Sequence, residues 1–261
     1  MIAKDFDAFC RAHNIEYYLM GGTALGAARH KGFIPWDDDF DVFMDYYNYE
    51  RFLSVAEIYF DKDKYYLQIE DTEEWPLYFT KLRLNGSRYC EVDNAGRSMH
   101  EGIFIDIMCL NSAHDSWALR WLQYAAGKTL SAGALARRGY KTRSVAKRCA
   151  VALAKYVVCG PIKRGMLRIV RRRGRVRASS RLVGHFFGRA PFKATFFERA
   201  WLGTPRRVAF EDAEFCAPQE LEKYLTVRFG SDYMELPSAE VRAAFPSHAV
   251  DVELGKWKPD S

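Results

Sequence analysis

Hydrophobic and polar positions change rhythm several times along this chain, and each rhythm predicts a different element. Residues 3–13 place Phe6, Phe9 and Cys10 on one side of an amphipathic helix. Residues 15–20 are β-branched and aromatic and read as a strand, closed by the turn-forming pair Gly21-Gly22. Thr23 is expected to cap a helix through Arg29, which Gly32 and Pro35 terminate. Residues 40–44 predict a strand that begins inside an acidic run, and residues 48–59 a helix. Residues 65–70, 78–84 and 103–108 predict three more strands, and residues 218–229 a late helix. Strands and helices interleave, so the expected class is α/β or α+β: a mixed central sheet with flanking helices.

Residues 117–189 break this alternation and read as mostly helical. Within them Ile162, Met166 and Val170 fall on one side of a helix, and Arg164, Arg168, Arg171 and Arg175 on the other. Charge sharpens the boundary. Residues 116–197 contain 20 Lys and Arg and no Asp or Glu, whereas the remainder holds 19 basic and 33 acidic residues. Three parts are therefore expected: a catalytic core over 1–115, a basic helical insert over 116–197, and a C-terminal segment over 198–261 that packs back on the core. A basic insert favours anionic partners. Residues 163–181, rich in arginine, are expected to meet an anionic membrane surface, with nucleic acid the weaker candidate.

Forty-nine percent hydrophobic residues, fifteen percent of the chain being aromatic, suffice for a core without a disulfide framework. The six cysteines lack C-x-x-C spacing and read as buried reduced thiols of a cytoplasmic protein. Residues 1–10 carry acids and no apolar run of the secretory kind. The longest apolar stretch, residues 149–162, is interrupted by Lys155 and falls short of the roughly 20 residues a spanning helix needs. A cytoplasmic protein, peripheral at the inner face of the membrane, is the expectation.

The chemistry concentrates in two strands and one turn. Side chains alternate along a strand, so Asp39 and Asp41 of Asp39-Phe40-Asp41-Val42 are expected to project together. Adjacent carboxylates repel unless a cation or proton intervenes, and hard oxygen ligands suit Mg2+ or Mn2+. Asp106 interrupts the apolar run Ile103-Phe104-Ile105-Asp106-Ile107-Met108. If the two strands pair, Asp106 completes a triad able to hold two metals, or one metal and an activated hydroxyl. Gly21-Gly22-Thr23 precedes them at a strand-to-helix turn, where backbone N–H groups and positive potential favour phosphate. Arg29, His30, Lys81, Arg83 and His100 are candidate phosphate partners. Separately these are ordinary residues; their combination points to phosphoryl transfer.

At these positions the sequence resembles the LicD family, which includes the fukutin-related transferases. The resemblance rests on the unbroken stretch from Tyr18-Leu19-Met20-Gly21-Gly22-Thr23 through Ile34-Pro35-Trp36-Asp37-Asp38-Asp39-Phe40-Asp41-Val42, on His100-Glu101-Gly102-Ile103-Phe104-Ile105-Asp106-Ile107, and on Phe229-Gly230-Ser231-Asp232-Tyr233-Met234-Glu235-Leu236-Pro237. It implies a nucleotidyltransferase fold. It also implies transfer of a phosphorylated alcohol, typically phosphocholine from CDP-choline, to a sugar hydroxyl of a cell-surface or lipid-linked glycan. Asp39 and Asp41 match the family's metal-binding pair and Asp106 its third acid; Gly22, Thr23, Lys81 and Arg83 match positions near donor phosphates. Ala27-Ala28 and Met108-Cys109-Leu110 depart from the usual family residues. Two other readings remain open: attachment of a nucleoside monophosphate with release of pyrophosphate, and a non-enzymatic module binding a membrane or nucleic acid through the arginine cluster.

Overall fold

Five strands carry the candidate site: β1 (Tyr18–Leu19), β2 (Asp41–Asp45), β3 (Tyr65–Gln68), β4 (Thr80–Leu84) and β6 (Phe104–Ala113), in the order β1-β2-β6-β4-β3. This computed structural model describes residues 1–91, 99–140, 144–171, 180–243, 245 and 249–257. The β2–β6 pair is parallel, and the β1–β2, β6–β4 and β4–β3 pairs are antiparallel. Val42, Met44, Leu82, Ile105 and Ile107 alternate onto one face, where they are buried with Phe6 and Cys10 of α1 (Ile2–Ala12) and Phe52 and Ala56 of α3 (Tyr46–Tyr59). The intervening residues Asp41, Lys81 and Asp106 consequently share the other face.

β6 outlasts its predicted end. β7 (Leu182–Gly184) pairs antiparallel with Asn111–Ala113, beyond the stretches of β6 that pair with β2 and β4, and β8 (Phe196–Glu198) pairs with β7. The ribbon β9 (Arg206–Phe210) and β10 (Ala213–Ala217) seats Phe210 and Phe215 against Phe40, at 5.3 and 5.2 Å between ring centres. Helix α8 (Leu221–Phe229) follows. α8 answers the helix expected over 218–229, whereas β7 to β10 and the pairing of β5 (Arg88–Glu91) with β11 (Ala249–Glu253) have no counterpart among the predicted strands.

The structure corrects the expected cap. Helix α2 (Gly21–Arg29) begins at Gly21, whose φ of +62° suits glycine, with Met20 before it. Thr23 lies inside the first turn, where its hydroxyl accepts from the Asp41 amide at 2.7 Å. It ties the acidic segment to the helix instead of capping it.

The basic segment contributes α4 (Trp117–Arg137), α5 (Val145–Val157) and α6 (Gly160–Arg171). α5 and α6 both pack on α4, Val158 filling the notch at Gly133 and the Gln123 amide reaching the Ile169 carbonyl. The predicted polar and apolar sides of α6 are partly exchanged. Ile162 faces solvent, while Arg171 turns inward to the Glu70 carboxylate at 2.6 Å and Lys163 reaches Asp71. Burial pushes the Glu70 carboxyl up to about 7 despite Arg171 beside it. Arg181 pairs with Glu198 at 2.6 Å. Three cations of the expected membrane-facing stretch 163–181 are thus held by carboxylates, and residues 172–179 lie outside the described residues. Cysteine placement also differs from expectation: Cys10, Cys90 and Cys109 are buried, but Cys149 and Cys159 are exposed.

Candidate functional site

The parallel register of β2 and β6 sets Asp41 opposite Asp106, and the antiparallel register of β4 sets Lys81 opposite Asp106 on its other side. One row across three strands therefore reads carboxylate, carboxylate, ammonium. Lys81 Nζ lies 2.9 Å from Asp106 Oδ1 and 3.0 Å from the centre of the Phe104 ring, both partners being buried.

Asp39 does not belong to this strand row. β2 starts at Asp41, so Asp39 lies in the preceding loop, not on the strand alternation that the sequence suggests. It still comes close: Asp37, Asp38 and Asp39 each offer an oxygen, and these lie within 4.8 Å of one another. The loop is pinned from behind, since the Thr23 hydroxyl also approaches the Asp39 carbonyl, at 3.4 Å. Asp41 bears the consequence of this crowding. Burial, and then the neighbouring charges of Asp106, Asp39 and Asp37, raise its carboxyl well above the usual carboxylate range, with Lys81 opposing. Among the described residues, Lys81 is the ammonium placed in the row with Asp41 and Asp106. Such an oxygen-rich set, in which Asp41 is crowded by neighbouring carboxylates, fits a hard divalent cation such as Mg2+ or Mn2+. Asp37, Asp39, Asp41 and Asp106 are the residues that would hold it.

The glycine pair is fitted to these acids. A Cβ on Gly21 would lie 3.1 Å from Asp41 Oδ2, and one on Gly22 would lie 2.2 Å from Asp37 Oδ2. The Gly21 amide donates to the Tyr224 hydroxyl at 2.9 Å, and the next N–H groups of α2 have no acceptor within the helix. Gly22→Ala is expected to fold, because only the movable end of Asp37 blocks the added methyl. Displacing Asp37 should lower turnover at least about tenfold, roughly 1.4 kcal/mol in the barrier. Circular dichroism melts measured with turnover test this; unchanged turnover would show that the glycine is not needed for the loop.

The remaining predicted residues lie in other surroundings. Arg83, fully buried, donates to Gln68 Oε1 and to the Gly102 carbonyl, both at 2.8 Å. His100 stacks on Tyr66 at 4.7 Å and its Nε2 lies 2.9 Å from Asn85 Oδ1; burial, then Arg83, lower its pKa. Arg29, at the end of α2, donates to the Tyr233 and Glu235 carbonyls and has His30 beside it. Lys81 alone of these cations stands in the carboxylate row.

Other groups near the site gave no sequence signal. His185 lies edge-on to Phe43 at 5.5 Å, with Nδ1 donating to the Cys109 carbonyl at 3.2 Å; burial lowers its pKa to about 4, leaving the ring neutral near pH 7. Burial, then the Arg228 charge, lowers Lys128 to about 8. Tyr224 sits one turn before Arg228 on α8 and feels the charge of Asp41. Lys128, His185 and Tyr224 lie 87, 144 and 183 positions beyond Asp41, separations that no local pattern bridges.

The nucleotidyltransferase-domain profile described as LicD/FKTN/FKRP matches residues 14–130, which include the glycine corner, the acidic loop, β2, β4 and β6. Residues 14–130 are thus similar to the nucleotidyltransferase domain of the LicD family. A 50-residue segment is 58% identical to the lipopolysaccharide cholinephosphotransferase LicD of Haemophilus influenzae, covering 19% of each chain. A 41-residue segment, 16% of this chain, is 46% identical to uncharacterized proteins of Rickettsia prowazekii and Rickettsia typhi, covering 15% and 13% of them. The chain thus spans less than a fifth of the length of these relatives. No helix among the described residues is long and apolar enough to cross a membrane.

Proposed function

We propose that this chain transfers a phosphorylated alcohol from a CDP-alcohol to a sugar hydroxyl of a cell-surface or lipid-linked glycan, releasing CMP, with phosphocholine from CDP-choline the first donor to test. The observation that carries the reading is the register of Asp41 against Asp106 beside the glycine corner. It sets a group of carboxylates next to the amide end of α2. Similarity to the Haemophilus lipopolysaccharide cholinephosphotransferase over a short segment supports the choice of donor.

A divalent cation, when bound, supplies charge neutralisation to the diphosphate. The chain's own groups do the rest. Lys81 balances Asp106 and fixes its position. The N–H groups at the start of α2 offer donors to a phosphate oxygen. The acceptor hydroxyl oxygen forms a bond to the phosphorus distal to cytidine, the bond from that phosphorus to the bridging oxygen breaks, and CMP leaves with the electron pair. The hydroxyl proton passes to a carboxylate of the acidic group. Arg83 acts through Gln68 and Gly102 as a brace for β4, and phosphate charge is met instead by the cation and the α2 amides.

The test is incubation of the full chain with a panel of CDP-alcohols, magnesium and glycan acceptors. CMP formation that requires acceptor supports the proposal. Pyrophosphate formed from CTP would favour nucleotidyl transfer, and absence of CMP across the panel would end the reading.

A further inference from the structure

Helix α5 turns an apolar seam toward solvent. Val145, Cys149, Ala152 and Tyr156 follow one another at spacings of four, three and four residues and are all exposed, with Leu153 alongside. Val145 is 64% exposed, Leu153 65% and Tyr156 78%. The opposite side of the same helix is already satisfied, with Ala154 and the following Val158 buried against α4. Solvent-exposed apolar residues at helical spacing, on a helix whose core-facing side is filled, imply a second contact surface. The pattern continues after the short turn at Val158–Cys159, where α6 exposes Ile162 and Ile169 beside Arg164 and Arg168.

Charge decides what can cover this surface. Arg148 flanks the α5 seam, Lys147 is exposed at its start, and no acidic residue occurs anywhere in residues 116–197. A second copy of the chain, meeting this face by two-fold symmetry, would set like charges against one another. A nucleic acid would use the cations but leave Val145, Leu153 and Ile162 without apolar partners. An anionic bilayer satisfies both: acyl chains take the aliphatic and aromatic side chains, and headgroup phosphates take the arginines. Tyr156, with an apolar ring and polar tip, suits the boundary between the two.

We infer that α5 and the outer side of α6 form a surface that docks in the plane of an anionic phospholipid membrane, through Val145, Leu153, Tyr156 and Ile162 flanked by Lys147, Arg148, Arg164 and Arg168. This places the contact on α5 and the start of α6, not on the arginines that the core holds. Lys163 and Arg171 attach α6 to Asp71 and Glu70, which fixes the helices so that the seam stays outward.

The experiment is sedimentation of the full chain with phosphatidylcholine vesicles, with and without phosphatidylglycerol, at physiological salt. Binding to the anionic vesicles is expected, with little to the neutral ones. Leu153→Ser with Tyr156→Ser should weaken that binding at least about tenfold, and Arg164→Gln with Arg168→Gln should weaken it while lowering its salt dependence. Circular dichroism and size-exclusion chromatography check that the variants keep their fold and size. Undiminished binding by the Leu153/Tyr156 variant, or no binding of the parent chain to anionic vesicles, would overturn the inference. So would a parent dimer that this variant dissociates, which would assign the seam to a second copy. Because no turnover is read, these outcomes leave the transferase proposal untouched, and failure of CMP release would leave this one untouched.

Discussion

Asp41→Asn is expected to abolish most CMP release and, without divalent cation, to raise the melting temperature. The two effects share one origin. Asp41 sits in protein surroundings beside Asp37, Asp39 and Asp106, and its carboxyl is held far above the ordinary range by burial first and those charges second. A carboxyl whose folded-state pKa is raised favours folding below its unfolded value, and that contribution is lost as pH climbs toward the folded value. Whenever it is ionised the group is therefore a burden on the fold unless a cation offsets it. Asparagine keeps the shape and removes the charge. Each kcal/mol relieved should raise the melting temperature by about 2–4 °C in a chain of this size. Losing the ligand should slow transfer by roughly a thousandfold or more, at about 1.4 kcal/mol per tenfold. Melting with and without magnesium provides a readout independent of turnover: the parent should gain stability from the ion by mass action and the variant should gain little. Equal stabilisation of both by magnesium, or turnover near that of the parent, would remove Asp41 from the ligand set.

Lys81→Met is expected to have the largest effect on stability. Removing one partner of a buried ion pair leaves an uncompensated charge, typically a loss of about 3–5 kcal/mol. Here the Lys81 ammonium is the compensating group within the carboxylate row, and its aliphatic stem and charge lie against Phe104. The loss should be greater at pH 8 than at pH 5, because the remaining carboxylates are unfavourable only when ionised. Lys81→Met combined with Asp106→Asn should recover much of the stability, since the two residues are coupled, but not the turnover. Denaturant unfolding of both single variants and the double variant at two pH values measures the coupling; a purely additive result would mean that the pair contributes nothing as a pair.

The apolar and charged rhythm of residues 40–44 and 103–108 was sufficient to locate the two carboxylate strands, because strand alternation is a local property. It was not sufficient for Asp39, which reaches the site from a loop whose path is set by the Thr23 hydroxyl and the close approach of Gly22. Arg83 illustrates a different limit. Its spacing from Lys81 gives it the same face, but whether an arginine meets a ligand or a carbonyl is decided by Gln68 and Gly102, which arrive from other segments. The sides of α6 differ from the periodic expectation for a related reason. Periodicity separates polar from apolar positions, yet Glu70 and Asp71 on the core determine that Arg171 and Lys163 turn inward. Short ribbons such as β9–β10 have little alternation to read, and they are fixed by what they cover.

The family match ends at residue 130, but the support of the glycine corner does not. Tyr224 accepts from Gly21, Glu211 accepts from the Phe33 amide at 2.9 Å, and the carbonyls of Tyr233 and Glu235 receive Arg29. Phe40, immediately before Asp41, lies between Phe33 and the aromatic pair Phe210 and Phe215. A polypeptide trimmed to the recognisable homology region would therefore expose this aromatic nest to water and lose the clamp on its first helix. Expressed by itself it should be sticky and inert, whereas supplying the tail from residue 198 onward as a separate peptide offers a route to reconstitution.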